Sequence, residues 1–406
     1  MKVLIISQYF WPEDFRINEL VREIIDLGYE VDILTGRPNY PEGEIYPQFK
    51  KDKKKYSFFH GHNVYRCWVP ARGKNKVALL LNYFLFVITS SVYAIFLGRK
   101  KKYNFSFVFE PSPITVCLPA IVLKKIFNTP IIFWVLDLWP QTLHAIGIIK
   151  KESIITKLIT KLVIFIYQNC NVILGQSNSF VKEIKKLVPD HNNVLFFPNW
   201  VESSFEYHSS NSSIKENLLK KDNSLKVCFA GNIGEAQDFK TILDGIKKAQ
   251  NDILVELHIY GSGRYLQWVR DYIKFLAIEN IVFLHGRMPQ ESMYSALLRY
   301  DALLVSLKND ENLNLTIPGK LQTYMSIGKP ILGIISGEGA LLINQSKSGL
   351  VSRPGDSDSF YNNLIRLHHT PLHERELYGI NAIDYSNKNF SRKFAIDRLI
   401  EAIDCL

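Results

Sequence analysis

The feature that most constrains the fold is the stretch from Lys308 to Gly339, in which a short helix runs directly into a strand. Apolar residues recur at helical spacing between Lys320 and Met325, and Gly328 is placed to end that helix. Pro330 to Ile335 follows as an unbroken apolar run, which is typical of a strand buried on both faces of a parallel sheet. The stretch therefore predicts an α/β domain built on a parallel sheet.

Both loops that flank this helix–strand unit carry groups suited to a diphosphate sugar. The loop before the helix offers backbone N–H groups, the positive end of the helix dipole and Lys320, a combination that suits a diphosphate. After the strand, the carboxylate of Glu338 can accept hydrogen bonds from sugar or ribose hydroxyl groups. Lys308 follows the predicted strand from Ala302 to Leu307 and is a second candidate for the diphosphate. A helix and strand joined by a glycine stop are also ordinary α/β architecture, and that interpretation stays open.

Three other predicted strands in the second half of the chain end in turns that contain glycine. Glycine lets the backbone approach a ligand closely, which suits binding ahead of a helix N-terminus. The first turn of the chain, by contrast, has no glycine between Ile6 and Gly28. This argues against a nicotinamide site there, because such sites carry the pattern Gly-x-Gly-x-x-Gly in that turn. The three glycine turns are Gly231-Asn232-Ile233-Gly234, Gly261-Ser262-Gly263 and His285-Gly286-Arg287.

The length of 406 residues predicts two domains, because a chain of this size exceeds one ordinary hydrophobic core. The first domain opens with a strand from Val3 to Ile6, a helix that stops at Gly28 and a second strand from Glu30, which is a doubly wound beginning. The pattern is lost between Ser203 and Ser224, a stretch rich in Ser, Asn and Lys, and it restarts at Lys226. We interpret the irregular stretch as a linker between domains.

The first domain also places an acidic residue at the tip of a buried apolar strand. Pro130 to Leu136 is followed by Asp137-Leu138-Trp139-Pro140, and a carboxylate there is costly unless it is paired or used. Asp137 is a candidate to orient a substrate hydroxyl or to accept its proton, and capping the following helix is the alternative role. The aromatic and charged loop from Tyr9 to Arg16 suits a ligand, although its aromatic residues would also simply cover the sheet edge.

The sharpest shift in composition lies between Val77 and Leu97, a run without formal charge that is followed by the basic cluster Arg99 to Lys102. By length this run fits a transmembrane helix, but crossing the bilayer would separate the first βαβ unit from the strands that complete its sheet. We predict instead a helix whose apolar face dips into the bilayer while the basic cluster meets anionic headgroups. A core helix of the N-terminal sheet is the alternative, and the two roles can coexist.

Composition narrows the choice of partners and compartment. The net charge of +10 fits nucleic acid, an anionic membrane or anionic small molecules, but the basic residues are not interleaved with aromatic ones in a nucleic-acid-binding module, so no nucleic acid is expected. The five cysteines lie far apart with no paired spacing, which argues against a disulfide framework or a zinc site and fits a reduced cytoplasm.

The order of these motifs resembles that of the retaining glycosyltransferases of family 4. The resemblance covers nearly the whole chain, and it is closest to the subgroup that adds N-acetylfucosamine and related sugars during O-antigen and capsule assembly. The family usually has two glutamates separated by seven residues, where this chain has Leu315 and Thr323. The motifs that carry the resemblance are D-L-W-P from Asp137, P-N-W-V from Pro198, G-N-I-G from Gly231 and I-P-G-K-x-x-x-Y-M followed by G-E-G from Ile317.

The resemblance implies the GT-B fold, an α/β architecture of two Rossmann-like, doubly wound, parallel-sheet domains that face each other across a cleft. It implies an acceptor-binding domain over residues 1–200, a linker over 201–225 and a nucleotide-sugar-binding domain over 226–385. The last segment, residues 386–406, is expected to be a helix that packs back on the N-terminal domain.

The resemblance also implies roles for individual residues. It places catalysis on Asp137, Lys320 and Glu338. Acceptor binding is expected at Glu13, Arg16, Trp139 and Asn199. Donor binding is expected at Gly231, Asn232, Gly234, Gly261, Gly263, Arg287, Lys308, Thr323 and Tyr324. The one Asp-x-Asp pair, Asp356 and Asp358, falls in a late turn and reads as a helix start, so neither a metal nor any other cofactor is expected.

The expected activity is transfer of an N-acetylated 6-deoxyhexosamine, such as N-acetylfucosamine, from a UDP-sugar to a lipid-linked oligosaccharide in O-antigen (lipopolysaccharide) or capsule synthesis, with retention of anomeric configuration. The enzyme is expected in the cytoplasm, peripheral on the inner face of the plasma membrane, which it contacts through Val77 to Lys102. Two alternatives stay open. A nucleotide-sugar 2-epimerase shares the fold but has no need of an apolar helix flanked by basic residues, and a non-catalytic membrane-associated scaffold would account for the absent glutamates.

Overall fold

The computed structural model describes residues 1–73, 75–145, 147–201 and 224–406. The chain divides into two compact units. The N-terminal unit comprises Met1–Phe197 together with Ile396–Leu406, and the C-terminal unit comprises Pro198–Ala395. The predicted linker, residues 201–225, lies outside the described residues except for its ends.

An eight-stranded sheet forms the centre of the N-terminal unit. Its strands are ordered β3-β4-β2-β1-β5-β6-β7-β8, and every neighbouring pair is parallel except the short β3–β4 hairpin. The central strands are apolar runs buried on both faces, which is why a parallel arrangement suits them. The strands are β1 Lys2–Ser7, β2 Glu30–Thr35, β3 Phe58–Phe59, β4 His62–Arg66, β5 Phe105–Glu110, β6 Ile131–Val135, β7 Val172–Gly175 and β8 Val194–Phe196.

The helices of this unit connect the strands and differ strongly in polarity. The first, α1, is amphipathic and ends at a turn in which Gly28 has a φ of +84°, a conformation that glycine adopts at little cost. The longest, α3, has 25 residues, and length and composition alone would let it cross a membrane. The helices are α1 Ile17–Asp26, α2 Pro47–Lys51, α3 Lys76–Lys100, α4 Leu118–Phe127, α5 Gln141–Ala145, α6 Ile154–Asn169 and α7 Asn178–Leu187.

A six-stranded, fully parallel sheet forms the centre of the C-terminal unit, in the order β11-β10-β9-β12-β13-β14. Buried apolar residues of β9, β10 and the helix after β9 form its core. The strands are β9 Leu225–Ala230, β10 Val255–Tyr260, β11 Val282–Gly286, β12 Ala302–Ser306, β13 Ile331–Ile334 and β14 Gly349–Ser352. The helices are α8 Phe239–Ala249, α9 Leu266–Phe275, α10 Gln290–Leu297, α11 Gly319–Ile327, α12 Gly337–Ser346, α13 Ser357–His369, α14 Leu372–Asn389 and α15 Arg392–Asp404, of which α15 crosses the boundary between the units.

The prediction of two Rossmann-like, parallel-sheet domains is confirmed, with three local differences. The segment from Ser336 to Gly339, expected as a turn, begins helix α12. Lys101, expected among the headgroup-facing cations, donates hydrogen bonds to both carboxylate oxygens of Asp32 at 2.8 and 2.9 Å inside the unit. The sulfur atoms of Cys117 and Cys170, distant in the sequence, lie 3.7 Å apart as buried free thiols because β5 and α6 bring them together.

Candidate active site

The carboxyl ends of β9 and β10 meet in the C-terminal unit as two backbone turns in direct contact. A Cβ atom on Gly261 would lie 1.8 Å from the carbonyl oxygen of Gly231, and one on Gly263 would lie 2.1 Å from that of Ile233. The amide of Gly231 donates to the carbonyl of Tyr260 at 2.9 Å. Glycine is therefore required where these turns touch, since any side chain would push the two strand ends apart.

A cavity of about 330 Å³ opens beside these turns, at the lower end of the volumes that hold small ligands. It contains four of the predicted donor-binding residues. The Nε atom of Arg287 donates to Ser262 Oγ, which holds the guanidinium at the cavity wall. The lining residues are Gly231, Asn232, Tyr260, Gly261, Ser262, Arg287, Met288 and Met293.

Lys320 approaches the same turn from helix α11. Its Nζ lies 3.8 Å from the centroid of the Phe229 ring. Its Cε is so close to Gly231 that a Cβ on that residue would lie only 2.2 Å from it. Burial lowers the pKa of Lys320 to about 7, and among the described residues no ion pair with a carboxylate offsets this effect. The Lys320 side chain is partly exposed, so a ligand can reach this desolvated amine, and without a resident counter-ion it is suited to bind an anion.

The start of α11 adds further positive potential next to Lys320. The helix begins at Gly319 after Pro318, which supplies no capping side chain. The amide groups of the first turn and the helix dipole therefore favour a negatively charged ligand near this end. Together with Lys320 and the Gly231 turn, this end of the helix can bind a phosphate or diphosphate group.

Two predicted donor-binding residues of α11 have internal partners. Tyr324 is buried, and its hydroxyl accepts a hydrogen bond from the amide of Ala230 at 2.8 Å and lies 3.2 Å from the carbonyl of the same residue. It therefore fixes the end of β9 immediately before Gly231. The Thr323 hydroxyl donates to the carbonyl of Gly319 at 3.3 Å, within its own helix.

Three other predicted residues also lie outside the cavity lining. Lys308 pairs with Glu235 at 2.9 Å, which joins the end of β12 to the turn after β9. Gly234, in the same turn, donates its amide to the Gln237 side chain at 2.9 Å. Glu338 is buried in the first turn of α12, and burial together with its nearby charge raises the pKa of Tyr385.

In the N-terminal unit, Glu13 has a structural function that its position in the sequence did not reveal. Its carboxylate accepts hydrogen bonds from the backbone amides of Asn39 and Tyr40, both at 2.8 Å, and of Phe10 at 3.2 Å. Burial raises the pKa of Glu13 to about 7. The Glu13 side chain thus joins the loop after β1 to the loop after β2. Arg16, the other predicted acceptor contact on this loop, pairs with Glu19 at 3.2 Å.

Asp137 and its neighbours occupy the carboxyl ends of β5 and β6. Burial raises the pKa of Asp137, and its carboxylate accepts a hydrogen bond from the Thr142 hydroxyl. The indole N–H of Trp139 is buried beside the Asp137 carboxylate, and together with Thr142 and Ser112 it offsets part of the rise in the pKa of Asp137. The carbonyl of Asn199, the last predicted acceptor contact, accepts from Gln322 Nε2 at 2.7 Å within the C-terminal unit.

Glu110 is a residue of this region that the sequence analysis missed. It ends β5, is fully buried, and its Oε2 accepts hydrogen bonds from the amides of Leu136 at 3.3 Å and Asp137 at 3.1 Å. Burial, reinforced by the nearby Asp137, raises the pKa of Glu110 well above its usual range. The signal was available, since Glu110 stands at the tip of an apolar strand just as Asp137 does.

Comparison with known families and proteins agrees with this geometry. Residues 224–370, most of the C-terminal unit, match the family model described as "Glycosyl transferases group 1". The chain is 26% identical over 233 residues to a probable glycosyltransferase WbjE of Pseudomonas aeruginosa, covering 55% of this chain and 56% of that protein. It is 23% identical over 346 residues to a putative colanic acid biosynthesis glycosyl transferase, WcaI, of Escherichia coli strain K12, covering 81% of this chain and 82% of that protein.

Solved structures share the fold over the full length. Anabaena Alr3699/HepE in complex with UDP superposes with a TM-score of 0.69 at 12% identity, covering 100% of both chains. The apo form of the lipopolysaccharide outer core galactosyltransferase WaaB gives a TM-score of 0.66 at 16% identity, covering 100% of this chain and 99% of that one. The predicted GT-B fold is confirmed, and the family match over residues 224–370 supports a glycosyltransferase.

Proposed function

We propose that this protein is a retaining glycosyltransferase that moves an N-acetylated 6-deoxyhexosamine from a UDP-sugar to a lipid-linked oligosaccharide during O-antigen or capsule synthesis. The observation that carries the proposal is Lys320, a half-buried amine beside the Gly231 turn at the start of α11. UDP is the nucleotide in the HepE complex, and the names of WbjE and WcaI point to glycosyl transfer, in the second case in colanic acid synthesis.

In this proposal the sugar nucleotide lies along the strand ends of the C-terminal unit. The nucleoside occupies the cavity between Gly261 and Arg287, and the diphosphate extends towards Lys320. Breaking the bond between sugar and phosphate leaves negative charge on the diphosphate. The protonated amine and the amides at the start of α11 stabilise that charge more strongly as it grows, which is the requirement for catalysis.

The positive groups of the protein take the part that a divalent cation plays in other transferases. Among the described residues no group of three His, Cys, Asp or Glu side chains is arranged to bind a metal ion. We propose a reaction that needs neither a metal nor another cofactor, because Lys320 and the start of α11 supply positive charge at the diphosphate. Turnover that persists in the presence of EDTA is the expected result, and restoration of lost activity by Mg²⁺ or Mn²⁺ would contradict it.

The acceptor is assigned to the N-terminal unit, near Asp137 and Trp139. Asp137 orients the acceptor hydroxyl or takes its proton, and the raised pKa of its carboxyl group favours proton uptake. Glu13 acts indirectly in this proposal, because its three backbone hydrogen bonds shape the loop that would face the acceptor. The enzyme is cytoplasmic and peripheral at the plasma membrane, with the outer face of α3 towards the lipid.

Release of UDP from UDP-sugars, measured with and without a lipid-linked oligosaccharide, tests the activity. Acceptor-dependent release with a product that keeps the anomeric configuration is expected. Isomerisation of the sugar without acceptor would instead indicate an epimerase. Neither reaction across a panel of UDP-sugars and acceptors would indicate a scaffold.

Replacement of Lys320 tests the site itself. We expect Lys320→Ala to lower kcat by about a hundredfold or more, as loss of one preorganised charge-stabilising group does in other enzymes. Lys240→Ala is a matched control, because Lys240 lies on the surface of the same unit and pairs with Asp244. Full activity in Lys320→Ala, with unchanged folding by circular dichroism, would show that Lys320 takes no part in the reaction.

A further inference from the structure

Three helices form one continuous layer on the N-terminal unit. Helix α3 packs closely against α4 because Gly98 has no side chain, and a Cβ there would lie 2.5 Å from the ring of Phe127 and 2.8 Å from Leu123. Helix α4 is joined to the end of α6, since Lys124 Nζ donates to the carbonyl of Asn169 at 2.7 Å. The layer α3–α4–α6 is therefore one surface of the unit.

The inner side of α3 is fixed to the unit. Asn82 is buried, accepts a hydrogen bond from Gln8 Nε2 at 2.6 Å and donates one to the carbonyl of Pro70 at 2.6 Å. Phe86, Ser90, Ala94 and Leu97 continue the buried side at intervals of three or four residues. A helix held in this way lies along the unit and does not leave it to cross a bilayer.

The outer side of α3 is nevertheless as apolar as the inner side. Large hydrophobic residues repeat along it at helical spacing, and Val77 and Phe84 are 75% and 63% exposed. Helices with apolar residues all round are usually buried, so an exposed one indicates a missing partner. The exposed apolar residues of α3 are Val77, Leu80, Leu81, Phe84, Ile88, Val92, Tyr93 and Phe96.

Helix α6 repeats this arrangement at the other side of the layer. Its buried residues include Val163 and Ile166, whereas Ile154 and Leu158 on the outer side of the first turns are 77% and 60% exposed. Ile155 and Phe165 are also exposed, and so is Ile148 in the loop before the helix.

The charges of the layer identify the partner. Helices α3, α4 and α6 together contain seven basic residues and no Asp or Glu, whereas α1 of the same unit contains three acidic residues among ten. Lys157 and Lys161 are exposed beside the apolar residues of α6, and Arg99 and Lys100 are exposed at the end of α3. Exposed apolar side chains flanked by cations, on helices that themselves contain no carboxylate, match an anionic lipid surface.

We propose that the outer surface of α3, α4 and α6, called here the three-helix face, binds an anionic lipid bilayer, with the first turns of α6 inserting as a second contact beside α3. This inference rests on the membrane location in the proposed function and extends it, because that location invoked only α3. The apolar side chains enter the boundary between headgroups and acyl chains, and the lysines contact the phosphates.

Vesicle flotation of the full-length protein tests the inference. The wild type is expected to float with equimolar phosphatidylglycerol and phosphatidylcholine, and not with phosphatidylcholine alone. The double substitution Ile154→Ser and Leu158→Ser should lower the partition coefficient by about tenfold, since two exposed apolar side chains lose their insertion energy. Phe84→Ser should also weaken binding. Phe275→Ser is the matched control, because this ring is 78% exposed on the C-terminal unit and should not matter.

Three results would overturn the inference. The first is undiminished flotation of the α6 double variant when Phe84→Ser floats poorly, and the second is equal binding of the wild type to phosphatidylcholine alone. The third is a dimer, seen by light scattering, that the α6 substitutions dissociate. Calorimetric titration with UDP separates this inference from the proposed function. The α6 variant should bind UDP normally, and a circular dichroism spectrum and melting curve equal to those of the wild type would establish that its N-terminal unit is folded. Failure of the wild type to bind or turn over any UDP-sugar would refute the transferase and leave the flotation result standing.

Discussion

Lys320 has an environment that is unusual for a lysine. Its amine packs over Phe229 and against Gly231, and burial lowers its pKa to about 7. The unliganded protein therefore carries a charge there that changes near neutral pH. A bound diphosphate would favour the protonated form, so ligand binding and proton uptake at this residue are coupled.

Affinity for a UDP-sugar is accordingly expected to depend on pH. Below the pKa of about 7 the amine is already protonated, and binding is strongest. Above it, binding must first protonate the amine, and affinity should fall by up to about tenfold per pH unit. Titration calorimetry with a UDP-sugar measures this, because the charge of its esterified diphosphate stays constant in the range. Lys320→Gln should bind weakly and without this dependence, and a flat profile for the wild type would contradict the assignment.

Glu110 gives a second expectation at the scale of single residues. Glu110→Ala would leave the amide of Asp137 without its acceptor, whereas the amide of Leu136 would keep its second hydrogen bond, to the Glu110 carbonyl at 3.2 Å. We expect a cost of about 1–3 kcal/mol in the free energy of unfolding. Glu110→Gln keeps an acceptor oxygen and should lose much less. Urea denaturation compares the variants, with Glu152→Ala on the exposed surface as control. Equal stability of the Ala and Gln variants would mean that the two hydrogen bonds contribute little.

Among elements, the paired turns after β9 and β10 set the most stringent geometric requirement. Gly231 and Gly261 have φ values of +141° and +140°, and their backbones touch. The turn after β11 is less restricted: Gly286 has a φ of +74°, but nothing lies within 4 Å of the position that a Cβ would take. The cavity depends on the first contact, because its wall is built from these turns.

Substitution of the two glycines by alanine should therefore have unequal effects. Gly286→Ala is expected to cost about 1 kcal/mol of stability from its positive φ alone, with UDP binding retained. Gly261→Ala should cost about 3 kcal/mol or more, since the new Cβ collides with the Gly231 carbonyl, and should abolish UDP binding. Thermal unfolding with and without UDP measures both quantities. Comparable losses in the two variants would show that the contact between the turns is not tight.

The elements were largely predictable from the sequence, and their side-chain contacts were not. Buried parallel strands such as β6 and β9 are continuous apolar runs, and this pattern needs no knowledge of neighbours. The role of Glu13 depends on amides that lie 26 and 27 residues along the chain. That of Lys101, at the end of α3, depends on Asp32 in strand β2. The turns around the cavity could be identified from sequence motifs, because only glycine fits where two backbones come into contact.

At the scale of the whole molecule, the fold predicts which cysteine thiols are accessible to a reagent, and this can be measured. Four of the five cysteines are buried and Cys405 is exposed. Burial raises the pKa of Cys67 to about 12 and that of Cys117 well above its usual range, so these groups stay as unreactive thiols. The native protein should react rapidly with one equivalent of a thiol reagent, and five should react after denaturation. Cys405→Ser should remove the fast phase, and a second fast equivalent in the native wild type would show that part of a unit is open.

The hydrogen bond between Asn82 and Gln8 has a consequence for how substrates are selected. It joins the second turn of α3 to the residue that follows β1, so the surface proposed to rest on lipid and the loop proposed to face the acceptor move as one piece. A protein seated on a bilayer would then hold that loop at a fixed height above the lipid. Sugars carried on a lipid would be accepted or refused by how far they project from the membrane, in addition to their chemical identity.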